Sequence, residues 1–228
     1  MKILVSSDIP QEAKKSLSDF GDIIEFSTKG ITYDSIASHP DVFFCKTENQ
    51  LIVAPNVPDK YFDVFKKENI SFIKGENPIG EKFPKTVFYN AVATEQLLIH
   101  NLKYTDFVIS NCYNNKKKIN VNQAYCRCNL IPLRNNSFVT SDKNIFNVLK
   151  KLDYNIFYVD SNDIILPGQT YGFIGGCCGA NGNDFFVIGN LDFFKEGKVL
   201  KQFIISLNYN LVELYNGPLF DGGSILFL

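Results

Sequence analysis

The sequence predicts a mixed α/β (α+β) fold, an α/β propeller of five pseudo-symmetric ββαβ units with the fifth split between the C- and N-termini. Three observations predict it. A strand–strand–helix–strand order recurs along the chain. Corresponding positions Val42, Val87, Asn129, Phe173 and Ser224 are spaced by 45, 42, 44 and 51 residues. The chain also ends on one strand of a fifth copy, and the rest of that copy stands at its beginning. Such a period marks a closed array of repeats.

Taken in order, KILVS at residues 2–6 reads as a strand, PQEAKKSLSDF as a helix opening at Pro10, and DIIEFS at 22–27 as a strand. Joined to Ser224–Leu228, they complete the split unit. Val42–Lys46 and Leu51–Ala54 are strands around Thr47–Gln50. Pro58 suits the first turn of a helix carrying Tyr61, Phe62, Val64 and Phe65, because its missing N–H is not needed there. Ile70–Lys74 returns as a strand. The next copy is the least regular: Val87–Ala93 and Leu97–Ile99 form a hairpin, Thr105 caps a short helix, and Lys118–Val121 closes the unit.

In the third copy, NLIPL and SFVT flank Arg134-Asn135-Asn136, a hairpin signal with asparagines able to take positive φ. Ser141 is the expected N-cap of a helix whose apolar face is Ile145, Phe146, Val148, Leu149 and Leu152. Asn155–Val159 follows as a strand. The fourth copy starts a strand at Phe173, turns at Asn181-Gly182-Asn183, and returns through Asp184–Ile188. A helix from about Asp192 to Leu207 and a strand Asn210–Leu214 complete it. A parallel doubly wound sheet is the weaker alternative, since SSDIPQ after the first strand lacks a glycine-rich phosphate loop.

At 228 residues the chain suits one domain, residues 1–228, with a sizeable core. Twenty-one Phe and no Trp assign much of the packing to Phe and Tyr. A net charge of −1 removes the general basic footprint of a nucleic-acid binder, and Lys116-Lys117-Lys118 reads as the solvated start of a strand. No window has the apolar length of a membrane span, and the N-terminus lacks a signal-peptide core. Six cysteines without a disulfide spacing read as reduced thiols of a cytoplasmic protein.

Five such units with one split across the termini resemble the pentein, or guanidino-group-modifying enzyme, fold. That superfamily includes deiminases, dimethylarginine hydrolases, amidinotransferases and noncatalytic ribosome anti-association factors. The best local match is Gly222-Gly223-Ser224-Ile225-Leu226-Phe227, similar to the enzymes' Gly-Gly-x-x-x-Cys approach to their nucleophile. Phe227 stands where the resemblance places the cysteine, and a phenyl ring cannot form the covalent adduct. Where a His-x-Asp is expected, the sequence has Gly168-Gln169-Thr170-Tyr171. Where an acidic Gly-Gly-Asp motif is expected, it has Cys126-Arg127-Cys128-Asn129. The resemblance therefore implies a divergent branch without ordinary deiminase or amidinotransferase activity.

The same resemblance gathers the openings of the first strands near a central pore. The expected ligand-binding set there is His39, Asp41, Asn90, Arg127, Asn129, Gln169, Tyr171 and Asp221, with Tyr171 or Phe44 as an apolar wall. Its ligand would be a small polar molecule of amino-acid or guanidino type, and no cofactor is implied. His39 and Asp41, two apart in a strand, would share a face and offer an acid–base pair. In GFIGGCCGAN, Cys177 and Cys178 are candidates for a relocated nucleophile, although no His, Lys or Arg lies nearby in sequence to activate a thiol. Cys126 and Cys128 alternate about Arg127 and would face one way, but the chelating C-x₂-C spacing is missing and no metal site is expected. An interaction module without catalysis is the third reading. Phe227 also leaves open whether the pore is filled.

Overall fold

The computed structural model describes residues 1–228 and holds five separate three-stranded sheets. Each has the same construction: the middle strand pairs antiparallel with the first strand of its unit and parallel with the last. A parallel pair needs a crossover, and a helix supplies it in every unit. The sheets are Phe44–Lys46, Leu51–Val53 and Phe72–Lys74, crossed by helix Asp59–Lys67; and Val92–Ala93, Leu97–His100 and Lys117–Asn120, crossed by Phe107–Cys112. Next come Leu130–Leu133, Ser137–Thr140 and Asn155–Tyr158 with helix Lys143–Lys151, then Cys178–Asn181, Asp184–Val187 and Asn210–Glu213 with helix Gly197–Ser206.

The split unit forms as the sequence predicts. Leu226–Phe227 pairs antiparallel with Lys2–Ser6 (Ile3 opposite Phe227, Leu4 opposite Leu226), and Lys2–Ser6 pairs parallel with Asp22–Phe26. Helix Gln11–Ser18 makes its crossover from Pro10. The hairpin turns also stand where the glycine and asparagines put them: Asn135 (φ 55°), Asn136 (φ 51°) and Gly182 (φ 55°) occupy the left-handed region.

The structure corrects several element boundaries. First strands begin later than the sequence suggests, because a short turn precedes them. Pro40–Phe43 and Cys126–Asn129 are single helical turns and Ile174–Cys177 is a 3₁₀ turn, so Val42, Asn129 and Phe173 do not open strands. In the second unit pairing starts only at Val92. Asp106 and Asp142, rather than Thr105 and Ser141, cap their helices by accepting from the N–H of Val108 and Ile145. A carboxylate is the stronger acceptor there. The long helix expected from Asp192 is broken: Leu191–Phe193 is a 3₁₀ turn capped by Asn190, and the α-helix starts at Gly197. Gly197 abuts the Leu191 carbonyl so closely that a Cβ would sit 1.7 Å from its oxygen.

Phenylalanine and tyrosine carry the packing. Phe26 meets Phe44 at 4.8 Å and Phe43 at 5.0 Å between ring centroids, and Phe44 meets Phe65 at 5.9 Å. Each such pair contributes roughly 0.5–1.5 kcal/mol beyond area burial. The first strands of all five sheets face one small cavity, to which Phe44, Val92, Ile131, Gly179 and Phe227 each contribute. No helix is long and apolar enough to cross a membrane.

Candidate functional site

The short turns that delay the first strands bring polar side chains together. Pro40 starts the first turn, leaving His39 as its cap and Asp41 in its first residues; both side chains are buried. Cys126–Asn129 is held to this turn through Asn90: the Asn90 carbonyl accepts from the N–H of Cys126 and Arg127, and its side-chain oxygen accepts from the N–H of Cys128. The Asn90 amide donates to the Asp41 carbonyl at 2.9 Å. The third turn, Ile174–Cys177, is glycine-rich because backbone must pass close: a Cβ on Gly175 would lie 2.2 Å from the Arg127 carbonyl oxygen.

Asp221 is fixed by main-chain donors. The N–H groups of Gly223 and Phe173 reach its two oxygens at 3.0 and 2.8 Å. Gly176 gives the carboxylate room, since a Cβ there would fall 1.8 Å from Oδ1. Burial pushes the Asp221 carboxyl up to about 6, against the pull of those N–H groups and of Arg127. Burial also raises Asp41 above the usual carboxylate range, and the Asp221 charge adds to it. The same burial lowers His39, leaving a neutral imidazole at pH 7, although the Asp41 and Asp8 charges oppose it.

Asp41 accepts from the Ser224 hydroxyl at 2.8 Å and the Cys128 thiol at 3.3 Å, both at Oδ2. Its Oδ1 and the His39 Nδ1 are buried without a hydrogen-bond partner. That nitrogen lies 3.8 Å from Asp221 Oδ1. His39 and Asp41 are therefore not a strand pair sharing a face, and no hydrogen bond joins them. The imidazole Nδ1 stands beside Asp221, and Asp41 acts on the ring through its charge alone.

A cavity of about 310 Å³ opens over this cluster, lined by His39, Asp221 and Cys128 beneath walls that include Tyr33, Tyr125, Tyr171 and Phe173. The Tyr33 and Tyr125 hydroxyls meet at 3.1 Å, and Tyr125 also bonds Thr86 at 2.6 Å. Gln169 lines the rim and donates to Ser35 at 2.9 Å. Of the sequence-predicted set, His39, Gln169, Tyr171 and Asp221 border this cavity. Asp41 and Asn90 lie in the buried network, and Asn129 is engaged with Tyr125 and Ser141. Arg127 and Phe44 line the other, smaller cavity, so Phe44 is not a wall of this one.

The cysteines divide in a way the sequence concealed. Cys126 packs in an apolar cluster with Leu130 and Phe138 while Cys128 reaches Asp41, because a helical turn, not a strand, carries them. Cys177 and Cys178 are fully buried among Ile174, Phe185 and Val187 and do not border the larger cavity. Burial raises Cys178 to about 12 and Cys177 well above the usual thiol range. Cys128 is also raised, first by burial and then by the carboxylates of Asp41 and Asp221. No group of three or more His, Cys, Asp or Glu side chains is placed to hold a metal ion.

The sequence does not single out Tyr33, Tyr125, Phe173 and Cys128 as ligand contacts. A signal existed for two of them. His39, Tyr125 and Phe173 each stand immediately before a unit's short turn, so one histidine at that position pointed to its equivalents. Such an arrangement can hold a compact, donor-rich molecule: acceptors converge at the floor, and aromatic faces attract a cation.

Solved structures share this architecture. The chain is similar to C. jejuni agmatine deiminase (TM-score 0.59, 10% identity, covering 96% of this chain and 90% of that one). It is also similar to a DDAH from Pseudomonas aeruginosa complexed with citrulline (TM-score 0.57, 10% identity, 93% and 91% coverage). A third is SxtG, an amidinotransferase from Microseira wollei (TM-score 0.56, 9% identity, 92% and 87% coverage). At these identities the likeness establishes the pentein fold of guanidino-group-modifying enzymes, and nothing finer. No curated protein matched by sequence. A family model matches residues 4–226, and the chain belongs to that family, described as "Family of unknown function (DUF6873)".

Proposed function

We propose that this chain is a single-domain, closed fivefold pentein that binds a small polar ligand, of amino-acid or guanidino type, without deiminase or amidinotransferase turnover. One observation carries the reading. The buried Asp221 carboxyl and His39 imidazole face an aromatic-walled cavity of about 310 Å³. Asp221 accepts two main-chain N–H bonds but has no countercharge in contact, and burying such an acid costs free energy that a cationic, hydrogen-bonding ligand offsets. Agmatine deiminase and the citrulline-bound DDAH, similar in fold, add support for the ligand class.

The absence of turnover is supported by the thiols. Phe227 lies against Phe186 at 4.8 Å between ring centroids and borders the smaller cavity, not the one above Asp221. Cys177 and Cys178 are buried away from that cavity, which weighs against either as a relocated nucleophile.

Thermal unfolding with arginine, agmatine, citrulline, dimethylarginine and creatine tests the proposal. A ligand at ~100 times its Kd stabilises by roughly 2.7 kcal/mol, or about 5–10 °C in a chain of this size. A selective shift lost in Asp221→Asn and reduced in Tyr171→Ala is the expected result. No shift with any compound overturns it, as does ammonia or urea release at enzymatic rates.

A further inference from the structure

The smaller cavity, about 150 Å³, has a different chemistry from the larger one and shares no lining residue with it. Its walls are apolar side chains of the five first strands, and its only charged residues are Lys46 and Arg127. No carboxylate lines it. The Arg127 guanidinium donates to the carbonyl oxygens of Gly175 and Cys178 at 2.8 and 3.2 Å. The Lys46 ammonium donates to the Phe227 carbonyl. Neither cation has a carboxylate within ion-pair distance.

Two like charges thus share one small cavity with only backbone carbonyls as hydrogen-bond partners. A guanidinium carries five N–H donors and an ammonium three, and three bonds use them here. Desolvation lowers the Lys46 pKa, the mark of a cation lacking a counter-charge. The Arg127 charge pulls the Asp41 and Asp221 carboxyls down, but both lie in the network under the other cavity and neither pairs with it. An arginine fork beside a lysine point charge is the usual donor set for a phosphate or carboxylate.

We propose that this cavity is a binding site for one small oxyanion, either an inorganic tetrahedral ion or a short carboxylate, held between Lys46 and Arg127. Its position makes it a charge partner of the larger cavity. Arg127 donates to the Gly175 carbonyl, and Ser224, whose hydroxyl donates to Asp41, lies 3.1 Å from that same carbonyl oxygen. An anion on Arg127 withdraws positive field from Asp41 and Asp221, and so links the two cavities.

The test is titration of the full chain with inorganic phosphate at constant ionic strength, followed calorimetrically, with sulfate and acetate as competitors. One saturable site is expected. Displacement by acetate identifies a carboxylate-tolerant site, whereas displacement by sulfate alone identifies a tetrahedral one. Lys46→Met, which keeps the length of the aliphatic stem and removes the charge, should weaken binding at least fivefold; Arg127→Lys, which removes the fork, should also weaken it. Tyr171→Ala, in the other cavity, should not. No saturable binding of any of the three anions, a smaller loss in Lys46→Met, or loss in Tyr171→Ala instead, overturns the proposal.

Discussion

The Ser224 hydroxyl donates to the Asp41 carboxylate at 2.8 Å across 183 positions of sequence, and its oxygen stands 3.1 Å from the Gly175 carbonyl oxygen. One side chain thereby ties together the start of the first full unit, the fourth unit and the C-terminal strand. Ser224 holds this place with a positive φ of 75°, a conformation that costs a non-glycine residue.

Replacing Ser224 separates these two effects. Ser224→Ala should destabilise by about 1–3 kcal/mol, the range for a hydrogen bond to a charged group whose partner is left buried. Ser224→Gly loses the same bond but relieves the backbone, and should be milder by about 1 kcal/mol. Urea denaturation of both variants checks the order. Equal losses would mean that the hydroxyl, and not the backbone, governs the position.

Asp221 gives a pH signature. Its folded pKa of about 6 exceeds the ordinary 3.8. The native state therefore holds the proton more tightly than the unfolded chain. The resulting stability is fully present below about pH 4 and is lost as pH rises through 6. Relative to Asp221→Asn, which has no such proton, the protein should lose on the order of 2–3 kcal/mol between pH 4 and pH 7. Paired unfolding curves across that range measure the difference, and a flat difference would contradict the burial argument.

Glycine at 176 is required by space and at 182 by φ. Gly176→Ala drives a methyl into the Asp221 carboxylate and should cost about 3 kcal/mol or more, with loss of ligand response. Gly182→Ala, in open space at φ 55°, should cost about 1 kcal/mol and leave the response intact. Chemical denaturation with a ligand thermal shift on each variant reads both effects.

The thiols should react unequally. Cys112 is exposed, while the other five are buried. One equivalent of a maleimide is expected to add rapidly to the native protein at pH 7.5, and Cys112→Ser should remove that phase. Burial holds Cys45 and Cys178 near 12, so they should label only as the protein unfolds. Rapid modification of Cys177 or Cys178, located by peptide mass, would restore the nucleophile reading.

Strand order and the split unit were legible because each unit carries local signals. Asn135-Asn136 and Gly182 announce turns, Pro10 and Pro58 announce helix starts, and the apolar spacing of Ile145 and Leu149 marks a buried face. The short turns before the first strands were not legible. Pro40–Phe43 and Cys126–Asn129 are apolar or thiol-rich segments that read as strand by composition, whereas in the fold they are turns hydrogen-bonded to Asn90 and Gly223.

Sequence alone thus determined the repeat, its closure across the termini, the pentein architecture and the polar candidates His39 and Asp221. Tertiary structure decided which candidates meet. It sent His39 and Asp221 to the larger cavity and Arg127 to the smaller one, and brought in Tyr33 and Tyr125 from connecting segments. The physical reason is range. Turns and helix caps are set by neighbours a few residues apart, whereas a cavity wall is set by chain segments packed from across the whole sequence. Even its charge states depend on that packing, because burial raises Asp221 and lowers His39.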